Sequence, residues 1–113
     1  MKEVQKCGQF CEIFGATPRN RIMEFFLEGR EIDFSLGDVA KETGLNRATT
    51  YSLSNELINE GYLVASRKIS GTQLYRLNLS KREVCLLIKA FNLVLGKVVD
   101  DAVGPMKRLK ALS

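Results

Sequence analysis

Histidine and tryptophan are absent from the 113 residues, and there are only two prolines and three cysteines. The missing histidine removes several chemistries in one step: the Ser/His/Asp and Cys/His catalytic sets, the His-x-Glu deaminase type of site, and mixed Cys/His zinc sites. Neither a GxxxxGK(S/T) phosphate loop nor GxGxxG occurs, and no carboxylate stands apart from an ordinary solvated surface, so the chain reads as a non-enzyme. An odd number of cysteines with no export signal argues for reduced thiols and against a disulfide framework. A long apolar run is missing too. The stretch from Val84 to Val99 is interrupted by Lys89, Asn92 and Lys97, and falls short of the ~20 residues a spanning helix needs. The amino terminus MKEVQKCGQFCEIF carries charges on both sides of its apolar residues and has no long apolar region, so a cytoplasmic protein is expected.

What is present is a soluble, globular composition, 45% hydrophobic and 27% charged. Val4, Cys7, Cys11 and Phe14 recur at helical steps, which predicts an amphipathic helix over 2–14. After Gly15, Thr17 is placed to cap and Pro18 to open a second helix, Pro18 to Glu28, burying Ile22, Phe25 and Phe26 and stopping at Gly29. GREIDF reads as a turn and then a brief extended segment. Ser35 can cap LGDVAKET, which Gly44 ends. Asn46 can cap a helix from Arg47 to Glu60 with Thr50, Leu53, Leu57 and Ile58 inward, and Gly61 supplies its stop. YLVAS and QLYRL, joined by RKISGT with Gly71 near the tip, read as a hairpin. Ser80 and Glu83 have the capping-box spacing, opening a helix to about Val103 before Gly104-Pro105.

Charge is unevenly spread. The net charge is +4 with a pI near 9.1, and from Gly61 to Arg82 there are five basic residues (Arg67, Lys68, Arg76, Lys81, Arg82) and no acidic one. A polyanionic partner fits such a concentration.

LGDVAKETGLNRATTYSLSNEL places small Ala40 where two helices must approach, Gly44 in the turn, and Val39, Leu45 and Leu53 between the pair. INEGYLVASRKISGTQLYRL follows as helix end, strand, wing and return strand. In this order and spacing the chain resembles the winged helix-turn-helix transcriptional regulators, in the broad style of the ArsR and MarR groups, over about Pro18 to Leu79. The resemblance implies a mainly α fold with a small β-hairpin wing. Residues 1–15 would form an amino-terminal helix that supports dimerisation, 17–79 the DNA-binding domain, 80–104 a dimerisation helix, and 105–113 a basic tail.

It also explains a helix rich in small polar residues. A recognition helix faces the major groove and needs donors and acceptors where a core helix would carry hydrophobes. The candidate DNA-binding residues are Asn46, Arg47, Thr49, Tyr51, Ser52 and Asn55 on that helix and Arg67, Lys68, Thr72 and Gln73 on the wing. Arg47 suits a guanine edge or a phosphate, Asn55 an adenine edge, the hydroxyls of Thr49 and Ser52 either phosphate or base, and Tyr51 a thymine methyl or the backbone. Two features depart from the family pattern. Thr50 stands where Val or Ile is usual and needs a local partner for its hydroxyl. Acidic Asp38, Glu42, Glu56 and Glu60 also outnumber Lys41 and Arg47 between Leu36 and Glu60.

Val84, Ile88, Phe91, Leu95, Val98 and Ala102 form an apolar stripe on the last helix, and Leu86, Leu87, Leu93, Val94 and Val99 widen it beyond one packing face. A homodimer seam is expected there, putting two recognition helices about one DNA turn apart. Cys7 and Cys11 share a face and Cys85 opens the helix beside them. They read as small buried hydrophobes, with a thiophilic metal site as the alternative. The expectation is therefore a homodimeric, sequence-specific regulator of transcription that binds double-stranded DNA in a prokaryote, with no cofactor. The alternatives are a winged-helix adaptor between proteins and a thiol-based metal-responsive regulator.

Overall fold

The computed structural model describes residues 8–103, with side chains to residue 94. The first part of the expected amino-terminal helix, with Cys7, and the tail 105–113 lie outside the described residues, as do the side chains of Leu95, Val98 and Ala102. The elements are α1 (Gln9–Phe14), α2 (Pro18–Glu28), α3 (Leu36–Thr43), α4 (Arg47–Asn59), β1 (Leu63–Ile69), β2 (Thr72–Leu77) and α5 (Arg82–Val103).

Local chemistry sets most of these boundaries. Three hydroxyl or amide side chains cap helices: Asn20 N–H donates to Thr17 Oγ1 at 3.1 Å, Asp38 N–H to Ser35 Oγ at 3.1 Å, and Thr49 N–H to Asn46 Oδ1 at 3.0 Å. Each satisfies a first-turn donor that the helix itself cannot. Gly44 closes α3 in the left-handed region, φ 75°, a conformation that costs a side-chain-bearing residue about 1–2 kcal/mol. At the end of α4, Tyr62 N–H reaches Leu57 O at 2.8 Å and Gly61 N–H reaches Ile58 O at 3.0 Å, the paired 6→1 and 5→2 bonds of a Schellman stop.

Two expectations about the wing and the helix after it are corrected. The hairpin strands run longer than read, because Arg67-Lys68-Ile69 belongs to β1 and only Ser70-Gly71 turns, with φ 50° and 81°. Positive φ at both central residues suits the twist of a tight hairpin. The pairing then slips by one residue between Ala65 and Lys68, leaving Ser66 and Arg67 opposite Leu74 in a β-bulge. Finally, α5 opens at Arg82, not at a Ser80 capping box. Asn78 organises the approach, accepting Ser80 N–H at its side chain (3.0 Å) and Lys81 N–H at its carbonyl (3.1 Å).

The core gathers Ile22, Phe26 and Leu27 of α2, Val39 of α3, Leu57 of α4, Leu63 and Leu77 at the base of the wing, Val84 and Phe91 of α5, and Phe10 and Cys11 of α1. Each large side chain so buried contributes about 1.5–3 kcal/mol. Phe25, half-buried at the edge, completes an aromatic cluster with Phe26 and Phe34, centroids 4.5–5.7 Å apart. On α4 the inward positions are Thr50, Ser54 and Leu57, with Leu53 and Ile58 only partly covered. Thr50 finds its local partner: its hydroxyl donates to Asn46 O at 2.9 Å. Ser54 was not expected inside. It is fully buried, and its Oγ has no hydrogen-bond partner among the described residues.

The expected seam on α5 is also corrected. Val84 (0% exposed) and Phe91 (3%) are packed within their own chain, and Phe91 meets Phe10 at 6.4 Å between centroids. Ile88 leans on the same core. Among the described residues, the large apolar side chains that α5 leaves exposed are Leu86 (51%) and Leu93 (40%), with Leu79 (50%) just before it.

Candidate nucleic-acid interface

With Thr50, Ser54 and Leu57 inward, the opposite side of α4 carries Ala48, Ser52 and Asn55, all exposed and spaced four and three residues apart. They therefore share one face. Arg47 and Tyr51 flank that face on one side and Thr49, half-buried, on the other. From Arg47 to Asn55 there is no acidic residue. Two of the acids noted in the sequence are turned to another partner, Glu56 and Glu60 engaging Arg19 of α2 at 3.6 and 2.7 Å. Their charge is thus partly compensated behind the leading end of the helix.

Arg47 and Tyr51 touch each other. The Arg47 Nη2 donates to Tyr51 Oη at 3.1 Å, and the guanidinium carbon lies 5.3 Å from the ring centroid. Gly37 lies beside the pair, where even an added Cβ would be in ordinary contact with Arg47 Nη2 and Tyr51 Oη, both at 3.7 Å. Together with Ser35, Thr72, Gln73 and Tyr75 these residues line an open cleft of about 380 Å³ between the start of α3, the start of α4 and the wing. The structure thus brings four sequence-predicted candidates, Arg47, Tyr51, Thr72 and Gln73, to one place.

Other candidates are differently employed. The Asn46 carbonyl oxygen is occupied as a helix cap. The Gln73 amide turns back to the bulge, donating to Arg67 O at 3.1 Å and Leu74 O at 2.9 Å. Arg67 departs most from expectation. It was placed in a loop free of acids, but it lies on β1 and is forked by Asp33, with Nε at 2.9 Å from Oδ2 and Nη2 at 3.3 Å from Oδ1. Ser66 Oγ donates to the same Oδ2 at 2.6 Å. These two bonds, Arg67's first, hold the Asp33 carboxyl below its ordinary range, and the same contact raises Arg67. Lys68, one residue on, is exposed and forms no ion pair among the described residues.

Asp33 was missed in the sequence. The signal was weak: an acid just before Phe34, whose backbone exchanges two 2.8 Å hydrogen bonds with Tyr75 of β2. That bridge ties the α2–α3 connection to the wing and brings Asp33 to the bulge. Ala48 was missed for want of a polar group, though its exposed methyl is suited to a thymine methyl.

Cys11 is buried in the core and Cys85 is exposed, its thiol near Leu79 O at 3.3 Å. Cys7, the third candidate thiol, lies outside the described residues, and no group of three or more potential metal ligands occurs among the described residues. Nor is any helix among them long and apolar enough to cross a membrane.

Against known proteins, residues 21–67 match the IclR helix-turn-helix domain, from within α2 to the bulge of β1. Compared by sequence with curated proteins, the chain has no significant match. Its architecture is similar to the homodimeric winged helix-turn-helix DNA-binding domain of a possible ArsR-family regulator from Mycobacterium bovis (18% identity, 82% of this chain and 81% of that one, TM-score 0.54). It is similar also to the transcriptional regulator HlyU from Vibrio vulnificus (20%, 73% and 82%, 0.55). A third is MepR from S. aureus, in a complex with DNA (15%, 93% and 87%, 0.56). The fold is the winged helix-turn-helix, as the sequence resemblance implied.

Proposed function

We propose that the chain binds double-stranded DNA sequence-specifically, as a homodimer, to regulate transcription in the cytoplasm of a prokaryote. The observation that carries this reading is the acid-free, exposed leading face of α4, with Ala48, Ser52 and Asn55 at its centre, set beside an exposed basic wing. In a helix-turn-helix the second helix presents such a face, with its first residues, to the major groove while the first helix crosses the backbone. Ser52 and Asn55 reach base edges, and Lys68 and Arg76 supply phosphate contacts from the wing.

A second copy would cover the outer side of α5. Leu86 and Leu93 are seven residues apart, two helical turns, and both are exposed. Covering them removes an apolar stripe from water and pairs two recognition helices, and a neighbour of the same fold described as homodimeric supports dimerisation as such.

Selection of bound duplexes from a randomised pool by the full chain tests the reading. The expected product is a two-fold related motif whose half-sites are about 10 base pairs apart, or a multiple of that. Failure to enrich any motif at low salt would favour a winged-helix protein adaptor instead.

A further inference from the structure

We propose that Arg47 and Tyr51 act as one pre-assembled unit that selects a guanine in the major groove, Arg47 as the reader and Tyr51 as its positioning residue; this rests on the DNA-binding reading above. Arg47 is the first residue of α4, and the first residues of a recognition helix are those that meet base edges. Tyr51, one turn on, accepts a hydrogen bond from Nη2 at 3.1 Å and offers its ring to the guanidinium at 5.3 Å.

The chemistry of the pair is one-sided. A guanidinium has five N–H donors and no acceptor, and the bond to Tyr51 uses one of them. The hydroxyl of Tyr51 accepts that bond and keeps its own proton to donate. The guanidinium, which is the reading group, therefore presents only donors. In the major groove guanine shows two adjacent acceptors, N7 and O6, whereas adenine replaces one with an amino donor. An all-donor edge fits the first and clashes with the second. Arg47 enters no ion pair among the described residues that would divert it. Stacking on Tyr51 restricts its torsions before DNA arrives, so less rotamer freedom is lost on contact.

The test compares the selected duplex with one in which the base pair contacted by Arg47 is changed from G·C to A·T. That pair is found as the position where motifs selected by wild type and Arg47→Ala differ. Wild type is expected to prefer guanine by about tenfold or more, Arg47→Ala and Arg47→Lys to lose nearly all of that preference, and Tyr51→Phe to lose several-fold of it. Tyr51→Phe keeps the ring, and an unchanged melting temperature checks that its fold is intact, so a lost preference reports the missing hydroxyl. An unchanged guanine preference in Tyr51→Phe would overturn the positioning role. Equal losses on specific and random DNA in Arg47→Ala, with the salt slope smaller by about one, would put Arg47 on a phosphate and overturn the unit. Both outcomes leave DNA binding intact. Absence of salt-dependent DNA binding by wild type would overturn the earlier reading and this one with it.

Discussion

Asp33→Asn should strengthen binding to random DNA, an outcome that basic residues counted along the sequence would not suggest. In the structure the Asp33 carboxylate takes both ends of the Arg67 fork, at 2.9 and 3.3 Å, and the Ser66 hydroxyl at 2.6 Å. Arg67 is thus neutralised in place, although its side chain is 65% exposed. The amide isostere removes the charge and keeps an acceptor for Ser66, so the bulge stays formed while Arg67 is released toward the backbone. One freed cation adds about 0.9 to the slope of log K against log salt, roughly 3.5-fold in relative affinity between 50 and 200 mM. Arg67→Ala in the wild-type background should change the slope little, and in the Asp33→Asn background it should cancel the gain. Fluorescence anisotropy with a labelled random duplex across that salt range reads all four proteins. If Arg67→Ala alone lowered the slope by about one while Asp33→Asn did nothing, Arg67 would already leave Asp33 for a phosphate on binding, and the reasoning would be refuted.

Acid should spare the Asp33 contact: its carboxyl is held low, so the stabilisation is complete above the ordinary carboxylate range near ~3.9 and is lost only as pH falls through the lowered folded value, which carboxyl NMR shifts of Asp33 would follow. Leu86→Asp with Leu93→Asp should yield a folded monomer by analytical ultracentrifugation with melting little altered, whereas Phe91→Asp, at a core position, should unfold the chain or cost at least about 3 kcal/mol; a double variant that still sediments as a dimer would place the seam elsewhere. Ser54→Ala should be neutral or stabilise by about 1 kcal/mol in urea melts, since it removes a buried hydroxyl without a partner among the described residues. Glu24→Ala should cost about 2 kcal/mol and release the start of α1, read by faster amide exchange at Cys11, because the buried Glu24 carboxylate accepts Gly8 N–H at 3.1 Å and Cys11 N–H at 3.3 Å.

The local signals were the legible ones. Thr17, Ser35 and Asn46 each cap the helix that follows them, and Gly44 and Gly61 stop the helices before them, because caps and stops depend on a few neighbouring atoms. The order helix, short extended segment, helix, turn, helix, wing was readable for the same reason. What escaped depends on pairs far apart in the chain. The Asp33–Arg67 fork joins residues 34 positions apart, and nothing at either end announces it. The burial of Phe91 follows in part from α1 arriving beside α5, where Phe10 meets it, which an apolar stripe cannot reveal: periodicity shows that a face is covered, not by which chain. Arg67 lies on β1 and not in the loop because the strand pairing continues to Ile69 and Thr72, and neither the extent of pairing nor a one-residue slip leaves a mark in composition. Within the candidate interface the polar face of α4 was read from inward Thr50 and Leu57, while Ala48 and Asp33 required the coordinates.

The central claim, that the leading face of α4 reads DNA while the wing holds it, is tested most directly by one titration series. The full chain is measured by anisotropy on its selected duplex and on a random duplex, over a range of salt, beside the variant Ser52→Ala with Asn55→Ala. The account predicts salt-dependent binding to both duplexes by wild type, and for the variant a loss of about 1–3 kcal/mol on the selected duplex with random binding and salt slope preserved. Equal binding of the selected duplex by wild type and variant, or no salt-dependent binding at all, would contradict it.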